Sequence, residues 1–292
     1  MVSCIITTYK REILILKRAI DSIKRQTYKD IEIIIVNDAP EEKELCIGIE
    51  KMLKENYNNI IYIVHEKNSG ACAARNTGIE ASKGDYIAFL DDDDEWIDNK
   101  LEIQLKKIES DNSAMVYCDQ LYIDSDGNEI YKKPSLEYLI GDTDFERLLC
   151  FNFIGSTSFP LIRSSVLKSV GGFNENLKSS QDHEVWLKIA KENKISYIPK
   201  ALVRYYFSDV AITRSTKNRE QGYTYLLKEF SKEYNNNKNL LHRRYILLSI
   251  TYLGMKCFKQ GFMYWRKAVI LNPLSLSNFM IFERYIKKIL KK

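Results

Sequence analysis

Four aspartates stand side by side at Asp91–Asp94, directly after the apolar segment Tyr86–Leu90. Adjacent carboxylates repel one another unless a cation lies among them. Hard divalent cations such as Mg²⁺ and Mn²⁺ take carboxylate oxygens, and Mg²⁺ commonly keeps one or two protein carboxylates and completes its shell with water and phosphate. An isolated acidic run is ordinarily a solvated loop, but this one closes a strand-like segment, which favours the metal. A second group lies at residues 180–187, SQDHEVWL, after the pair Gly171-Gly172. Asp182 falls there in the first turn of a helix, where the helix dipole stabilises a carboxylate. Such a carboxylate can act as a general base, or as a cap above Trp186 and Leu187. Asp38 closes another apolar run; it can accept a hydrogen bond from a base N–H or start the turn before Pro40. Arg75 and Asn76 can reach a carboxylate or a ligand phosphate, or form a surface ion pair.

The elements that must hold these residues follow from hydrophobic spacing. Residues 2–8 (VSCIITT), 31–37 (IEIIIVN), 60–65 (IIYIVH) and 85–90 (DYIAFL) read as strands, too apolar to have one face in water. Between them, residues 13–25, 41–55 and 70–82 carry apolar residues at helical spacing. Alternation of this kind predicts an α/β fold with a mostly parallel sheet flanked by helices on both sides. Ligand sites in such sheets lie at the carboxyl ends of the strands. The polar residues Thr7–Tyr9, Asn37-Asp38 and Asp91–Asp94 all fall at those ends. Beyond them, residues 114–123 and 129–133 read as strands around the turn Asp126-Gly127-Asn128, residues 144–151 and 181–192 as helices, and residues 195–206 as extended chain. From about residue 217 the pattern is helical throughout.

The 292 residues allow one large domain, or one domain and an appendage. We place the catalytic domain at residues 1–215 and a helical extension at 216–292. Hydrophobic residues make up 45% and charged residues 28%, which excludes a disordered chain. Residues 216–292 carry a net charge of +12 and residues 1–215 a net −7. An acidic body with a basic tail points to an anionic partner for the tail, or to a solvated helical face. Six cysteines without a C-x-x-C pair, and three histidines, argue against a zinc site or a disulfide framework and suit a reducing compartment. Cys4 and Cys72 read as packing residues. A first strand beginning at Val2 leaves no room for a leader, so a cytoplasmic location is expected.

Five segments, taken in order, resemble family 2 glycosyltransferases, inverting enzymes of GT-A fold that use nucleotide-diphospho-sugars. They are residues 3–9 (SCIITTY), 35–38 (IVND), 67–79 (KNSGACAARNTGI), 84–96 (GDYIAFLDDDDEW) and 171–187 (GGFNENLKSSQDHEVWL). The resemblance covers about residues 1–210. It implies that Asp38 contacts the nucleobase beside Thr8 and Tyr9, and that Asn68, Arg75, Asp91 and Asp92 also line the nucleotide-sugar site. It implies that Asp93, closing the DxD motif, ligates Mn²⁺ or Mg²⁺, and that Asp182 is the base. The acceptor region then falls at residues 152–163, with Phe153, Ser156 and Ser158 as candidates. Two positions depart from the family pattern. Gln181 stands where a Glu commonly precedes the base, and residues 204–209 (RYYFSD) lack the His that many relatives place there. Asp209 or Arg214 is then a candidate for the diphosphate.

The implied reaction is displacement at the anomeric carbon by an acceptor hydroxyl deprotonated by Asp182, with inversion, while the metal neutralises the departing diphosphate. The expected donor is a UDP-linked hexose or N-acetylhexosamine, and the acceptor a glycan or lipid-linked hydroxyl in bacterial surface polysaccharide synthesis. A nucleotidyltransferase is the alternative enzyme, but it would bring a Gly-rich loop after the first strand, and Thr7–Arg11 contains no Gly. A non-catalytic sugar-nucleotide or carbohydrate module is the alternative to an enzyme, and intact Asp93 and Asp182 argue against it. Nucleic acid is not an expected partner. In the tail, Gly261, Trp265, Ala268 and Leu271-Asn272-Pro273 resemble one tetratricopeptide-type hairpin. Residues 278–292 (NFMIFERYIKKILKK) read as an amphipathic basic helix, either buried along one edge or lying peripherally on the inner face of a membrane.

Overall fold

The computed structural model describes residues 1–124, 126–131, 141, 143–206 and 215–281. The chain divides into two compact units, Met1–Pro134 with Ile154–Gly222, and Ser135–Phe153 with Tyr223–Lys292. The second unit therefore takes in residues 135–153, from within the span read as catalytic, together with the C-terminal helices.

The first unit opens with the expected alternation. Strands β1 (Val2–Thr8), β2 (Ile31–Asn37), β3 (Ile60–Val64) and β4 (Tyr86–Asp91) alternate with helices α1 (Ile13–Lys24), α2 (Lys43–Asn56) and α3 (Ala71–Ala81). These strands lie parallel in the order β3-β2-β1-β4. Burial on both faces explains the unbroken apolar runs of β1, β2 and β4, while β3 at the sheet edge is only partly buried. On one face Cys4, Ile6, Ile33, Ile35, Ala88 and Leu90 pack with Leu16, Ile20 and Ile23 of α1 and with Ile49 and Leu53 of α2. On the other, α3 comes so close that a Cβ on Gly78 would collide with Ile5.

The second half of the sheet is mixed. After β5 (Glu95–Trp96) and α4 (Lys100–Ser110) come β6 (Met115–Ile123) and β7 (Glu129–Tyr131). Helix α5 (Asp144–Cys150) belongs to the second unit; β8 (Leu161–Arg163), α6 (Ser164–Ser169), α7 (Gln181–Glu192) and β9 (Ile195–Tyr206) return to the first. The full order is β3-β2-β1-β4-β8-β6-β9-β5, with β7 on β6. Strand β8 runs antiparallel to β4 and β6, β5 antiparallel to β9, and β6 parallel to β9 with a register shift around Asp119. Strands β5 and β8 and helices α4 and α6 were not among the expected elements. Strands of two and three residues are too short to show a period. Helix α4 hides its period because Lys100 and Gln104 occupy buried positions in its inward stripe.

In the second unit, α8 (Thr216–Glu229) runs across the junction with the first and leads to α9 (Ser231–Asn236), α10 (Lys238–Gly254) and α11 (Phe258–Leu271). Helices α10 and α11 form a hairpin in which Tyr252 and Tyr264 stack at 5.6 Å. Ser249 donates to the carbonyl of Gly261 at 2.8 Å. Tyr234 and Arg244 donate to the carbonyls of Leu149 and Cys150, which fastens the end of α5 to the helices. Among the described residues, no helix is long and apolar enough to cross a membrane. The amphipathic segment read at 278–292 falls outside the described residues from Phe282 onward, as do Asp209 and Arg214.

Lys100 is a costly feature of this core that the sequence did not announce. It is fully buried, 4.2 Å from the centre of the Trp96 ring, and donates to Gln104 Oε1 at 2.7 Å. Gln104 in turn donates to the Phe159 carbonyl at 2.7 Å, which carries the polar chain on to backbone. Burial away from any carboxylate pulls the Lys100 amine down to about 8. The unfolded chain then holds this proton at pH values where the folded chain has lost it, so stability rises with pH across that window. Compared with Lys100→Met, the wild type should gain about 2 kcal/mol between pH 7 and pH 9.5. Urea unfolding at the two pH values measures this difference, and parallel behaviour of the two proteins would refute a buried, depressed lysine.

Candidate active site

Three strand ends converge on the acidic turn. Asp91 is the last residue of β4 and pairs in register with Thr7 of β1. The turn that follows is closed by the Asp94 N–H on the Asp91 carbonyl at 3.0 Å. On the other side of β1, the Asp38 N–H donates to the Thr8 carbonyl at 2.9 Å. Parallel pairing of β2, β1 and β4 thus sets Asp38, Thr8 and Asp91 side by side at one sheet edge, where this class of sheet opens its ligand crevice.

Each carboxylate of the turn has its own partners. Asp91 accepts from Arg75 Nη2 at 3.2 Å, Ser156 Oγ at 2.9 Å and Thr157 Oγ1 at 3.0 Å. Asp94 accepts from Ser158 Oγ at 2.7 Å. Asp92 and Asp93 share one guanidinium: Arg11 Nε donates to Asp92 Oδ1 and Arg11 Nη2 to Asp93 Oδ2, both at 2.9 Å. Arg18 donates to the Asp93 carbonyl at 2.6 Å while stacked on Tyr206 at 3.6 Å. These groups do not fully offset the crowding. Burial, opposed by Arg11, pushes Asp92 up to about 6. Burial and the neighbouring Asp91 raise Asp93, and burial with Asp91 carries Asp94 well above the usual carboxylate range.

Asp38 is buried in a loop network. Its Oδ1 accepts from the Ser69 N–H and meets His65 Nδ1, both at 2.8 Å, and its Oδ2 accepts from the Gly70 N–H at 2.7 Å. His65 Nε2 meets Thr77 Oγ1 at 2.9 Å, so the loop is tied to α3. Gly70 opens that helix at φ +90°, a conformation that favours glycine. Asn68 is exposed in the same loop, beside the residues that bind Asp38, and Tyr9 stands 47% exposed after β1.

Helix α3 also reaches toward the segment that carries Asp182. Arg75 Nη1 donates to Gln181 Oε1 at 3.3 Å while its other arm holds Asp91, so one guanidinium links the acidic turn to the start of α7. Asn76 donates to the Phe173 carbonyl at 2.9 Å and accepts from the Phe173 N–H at 2.9 Å. This clamp needs glycine at 172, since a Cβ there would stand 2.7 Å from Asn76 Oδ1. Asp182 follows Gln181 in the first turn of α7. Lower on the same helix, Trp186 Nε1 donates to the Gly155 carbonyl at 3.3 Å, which steadies the loop that presents Ser156, Thr157 and Ser158.

The first unit therefore brings together Thr8, Asp38, Arg75, Asp91, Asp92, Asp93 and Gln181. Ser156 and Ser158 join them in a capacity other than the one read from sequence. Ser158 is 0% exposed, donating to Asp94 and accepting from the Asp91 N–H, so its hydroxyl is taken up by one carboxylate and one backbone amide and does not face an acceptor. Ser156 donates to Asp91. Phe153 belongs to the second unit. Arg11, Arg18, His65 and Thr157 were missed. Arg11 alone left a signal, a basic residue just beyond the first strand. Among the described residues, no three His, Cys, Asp or Glu side chains converge into a cage for a metal ion. The donor set nonetheless fits one. Asp93 remains 24% exposed in a cluster of hard oxygens with surplus negative charge, and Mg²⁺ or Mn²⁺ needs only one or two such groups when phosphate supplies the rest.

Comparison with known proteins identifies the family and the fold. The model of the family "Glycosyl transferase family 2" matches residues 3–171. An uncharacterised glycosyltransferase of Methanocaldococcus jannaschii is 30% identical over 227 residues, covering 77% of this chain and 77% of that protein. The uncharacterised glycosyltransferase YwdF of Bacillus subtilis is 32% identical over 216 residues, covering 73% and 77%. Among solved structures, S. aureus TarS 1-349 in complex with UDP-GlcNAc superposes with a TM-score of 0.66 at 20% identity, covering 86% of this chain and 72% of that one. The mannosyltransferase PcManGT from Pyrobaculum calidifontis, in complex with GDP-Man and Mn²⁺, gives 0.61 at 15% identity, covering 99% and 80%. At these identities the two structures share the fold.

The hydroxyl shelf makes a testable demand. Ser158→Ala leaves buried Asp94 without its 2.7 Å donor and the Asp91 amide without its acceptor. We expect a loss of about 2 kcal/mol in chemical denaturation, and a loss within error would show that the turn does not depend on the shelf.

Proposed function

The chain belongs to glycosyl transferase family 2, and from that premise we propose that it moves a hexosyl or N-acetylhexosaminyl group from a UDP-linked donor to a glycan or lipid-linked hydroxyl, with inversion. The setting we propose is the assembly of bacterial surface polysaccharide. The observation that carries the reading is the Arg75 bridge, which joins Asp91 at the acidic turn to Gln181 at the head of the Asp182 helix. The acidic turn and the head of the Asp182 helix are thereby both tied to α3.

On this reading Asp38 receives the base. The Ser69 and Gly70 N–H groups donate to Asp38 and His65 Nδ1 meets it, and an ionised carboxylate offers about four acceptor positions. One more N–H can be taken, which suits the single imide N–H of uracil. Tyr9 offers an exposed ring beside that position, and Thr8, Asn68, Arg75, Asp91 and Asp92 line the nucleotide and sugar. Asp93, with Asp91 beside it, would hold Mn²⁺ or Mg²⁺. When bound, the ion supplies positive charge where the departing diphosphate gains negative charge. Asp182 takes the proton from the acceptor hydroxyl as that oxygen attacks the anomeric carbon, and its place in the first turn of α7 favours the ionised form that a base needs. Arg75 and Asn76 fix the approach of α7, so proximity supplies much of the rate.

Nucleoside diphosphate release from a panel of sugar nucleotides, with Mn²⁺ or with EDTA, tests the assignment. Release should occur with one donor, require the metal, and fall at least about 100-fold in Asp182→Asn, the usual range for loss of a general base. Equal release by wild type and Asp182→Asn would remove Asp182 from the mechanism, and equal release with EDTA would remove the metal.

A further inference from the structure

We propose that Arg11 couples metal loading to donor binding: in the donor-free protein its guanidinium stands in for the metal on Asp92 and Asp93, and it transfers to the donor's diphosphate when the metal and donor enter together. The inference rests on the metal-assisted reading of the acidic turn given above, and adds to it the device that controls loading.

Three observations carry it. First, the fork of Arg11 is divided between two carboxylates, Nε on Asp92 Oδ1 and Nη2 on Asp93 Oδ2, each at 2.9 Å. A guanidinium ordinarily pairs both arms with one carboxylate; here it bridges two that repel each other, the electrostatic task of a bound cation. Second, the remaining carboxylates have other partners. Ser156 and Thr157 hold Asp91, and Ser158 holds Asp94. Arg11 is thus committed to the carboxylate pair that includes the proposed metal ligand. Third, the other cations of the turn are anchored elsewhere. Arg18 is stacked on Tyr206 and donates to the Asp93 backbone carbonyl, while Arg75 is held between Asp91 and Gln181. Arg11 lies in the loop between β1 and α1, is 29% exposed, and follows Lys10 at a left-handed φ of +53°. It can leave without breaking an element.

A divalent cation approaching Asp93 alone must displace this guanidinium into water and is repelled by it. A diphosphate changes both conditions. It offers Arg11 a planar, bidentate phosphate contact to replace the carboxylates, and it supplies the oxygens that complete the metal's shell. Metal and diphosphate then each raise the affinity for the other by the same factor, as linkage requires.

Mn²⁺ binding to the full chain, read from the electron paramagnetic resonance of free Mn²⁺, decides the matter. It is compared for wild type and Arg11→Gln without nucleotide, with UDP and with GDP. We expect wild type to bind Mn²⁺ at least about tenfold more tightly with the matching nucleotide than without it, within the usual range of such coupling. Arg11→Gln should bind Mn²⁺ more tightly than wild type in the absence of nucleotide, and gain little when nucleotide is added. Arg11→Lys keeps the charge but cannot span two carboxylates, so it should fall between them; it also serves as the deciding variant should Arg11→Gln fail to fold by circular dichroism. If wild type and the variants bind Mn²⁺ alike without nucleotide and gain alike from it, the role of Arg11 is overturned while the metal reading stands. If no form binds Mn²⁺ with either nucleotide, the metal reading itself fails and this inference falls with it.

Discussion

Four carboxylates at the end of a buried strand are the constraint around which the first unit is arranged. Mutual repulsion at such short spacing would unravel the turn unless donors arrive from outside it. They come from separate parts of the chain: Arg11 from the loop after β1, Arg75 from α3, and Ser156, Thr157 and Ser158 from the loop before β8. The strand order makes this possible. Strand β4 lies between β1 and β8, so the loops of both neighbours open beside Asp91. Moving β8 elsewhere in the sheet would strip Asp91 and Asp94 of their hydroxyl donors. The topology and the charge problem therefore select each other.

What the sequence disclosed, and what it withheld, follows from the range of the interactions. The parallel half was legible because strands β1, β2 and β4 are buried on both faces and their apolar runs leave no other reading. Asp91–Asp94 and Arg75 were legible as residue types at a strand end and on a short helix. Arg11 was legible only as a basic residue beyond the first strand; its role was not, because its partners lie 81 and 82 residues away. Ser156 and Ser158 read as acceptor contacts because a Ser-Thr-Ser run carries no sign of which way it faces; their carboxylate partners lie 65 and 64 residues back along the chain. Asp38 was legible as a strand-end carboxylate, whereas its network through His65 to Thr77 depends on a loop returning beside it.

Burial of polar groups where the pattern calls for apolar ones has a common logic in both units. Lys100 and Gln104 form a polar chain that ends on the Phe159 carbonyl, and the same backbone stretch supplies Ser158 to the acidic turn. Trp96 joins it from the other side, donating from Nε1 to the Ser158 carbonyl at 3.0 Å. The shelf is thus pinned by groups from α4 and β5 before its hydroxyls are offered to the carboxylates. In the second unit Arg244 plays a similar part, donating to the Cys150 carbonyl from within α10. In each case a buried polar side chain, Gln104 or Arg244, donates to a backbone carbonyl, and such pairing is the condition under which burial of polar groups is tolerated.

The departure at position 181 acquires a physical meaning in this setting. A glutamate there would accept from Arg75, as Gln181 does, but it could not also donate. Gln181 donates from Nε2 to the Leu177 carbonyl at 2.8 Å while its oxygen receives Arg75. The amide therefore fastens the loop before α7 to the helix and to α3 at once. It also leaves Arg75 facing a single carboxylate, Asp91, in place of two. A glutamate at 181 would share the guanidinium and weaken its hold on a turn that already has too few cations. The neutral residue next to Asp182 thus preserves the link between the two halves of the site while leaving the positive charge of Arg75 with the acidic turn, where the repulsion is greatest.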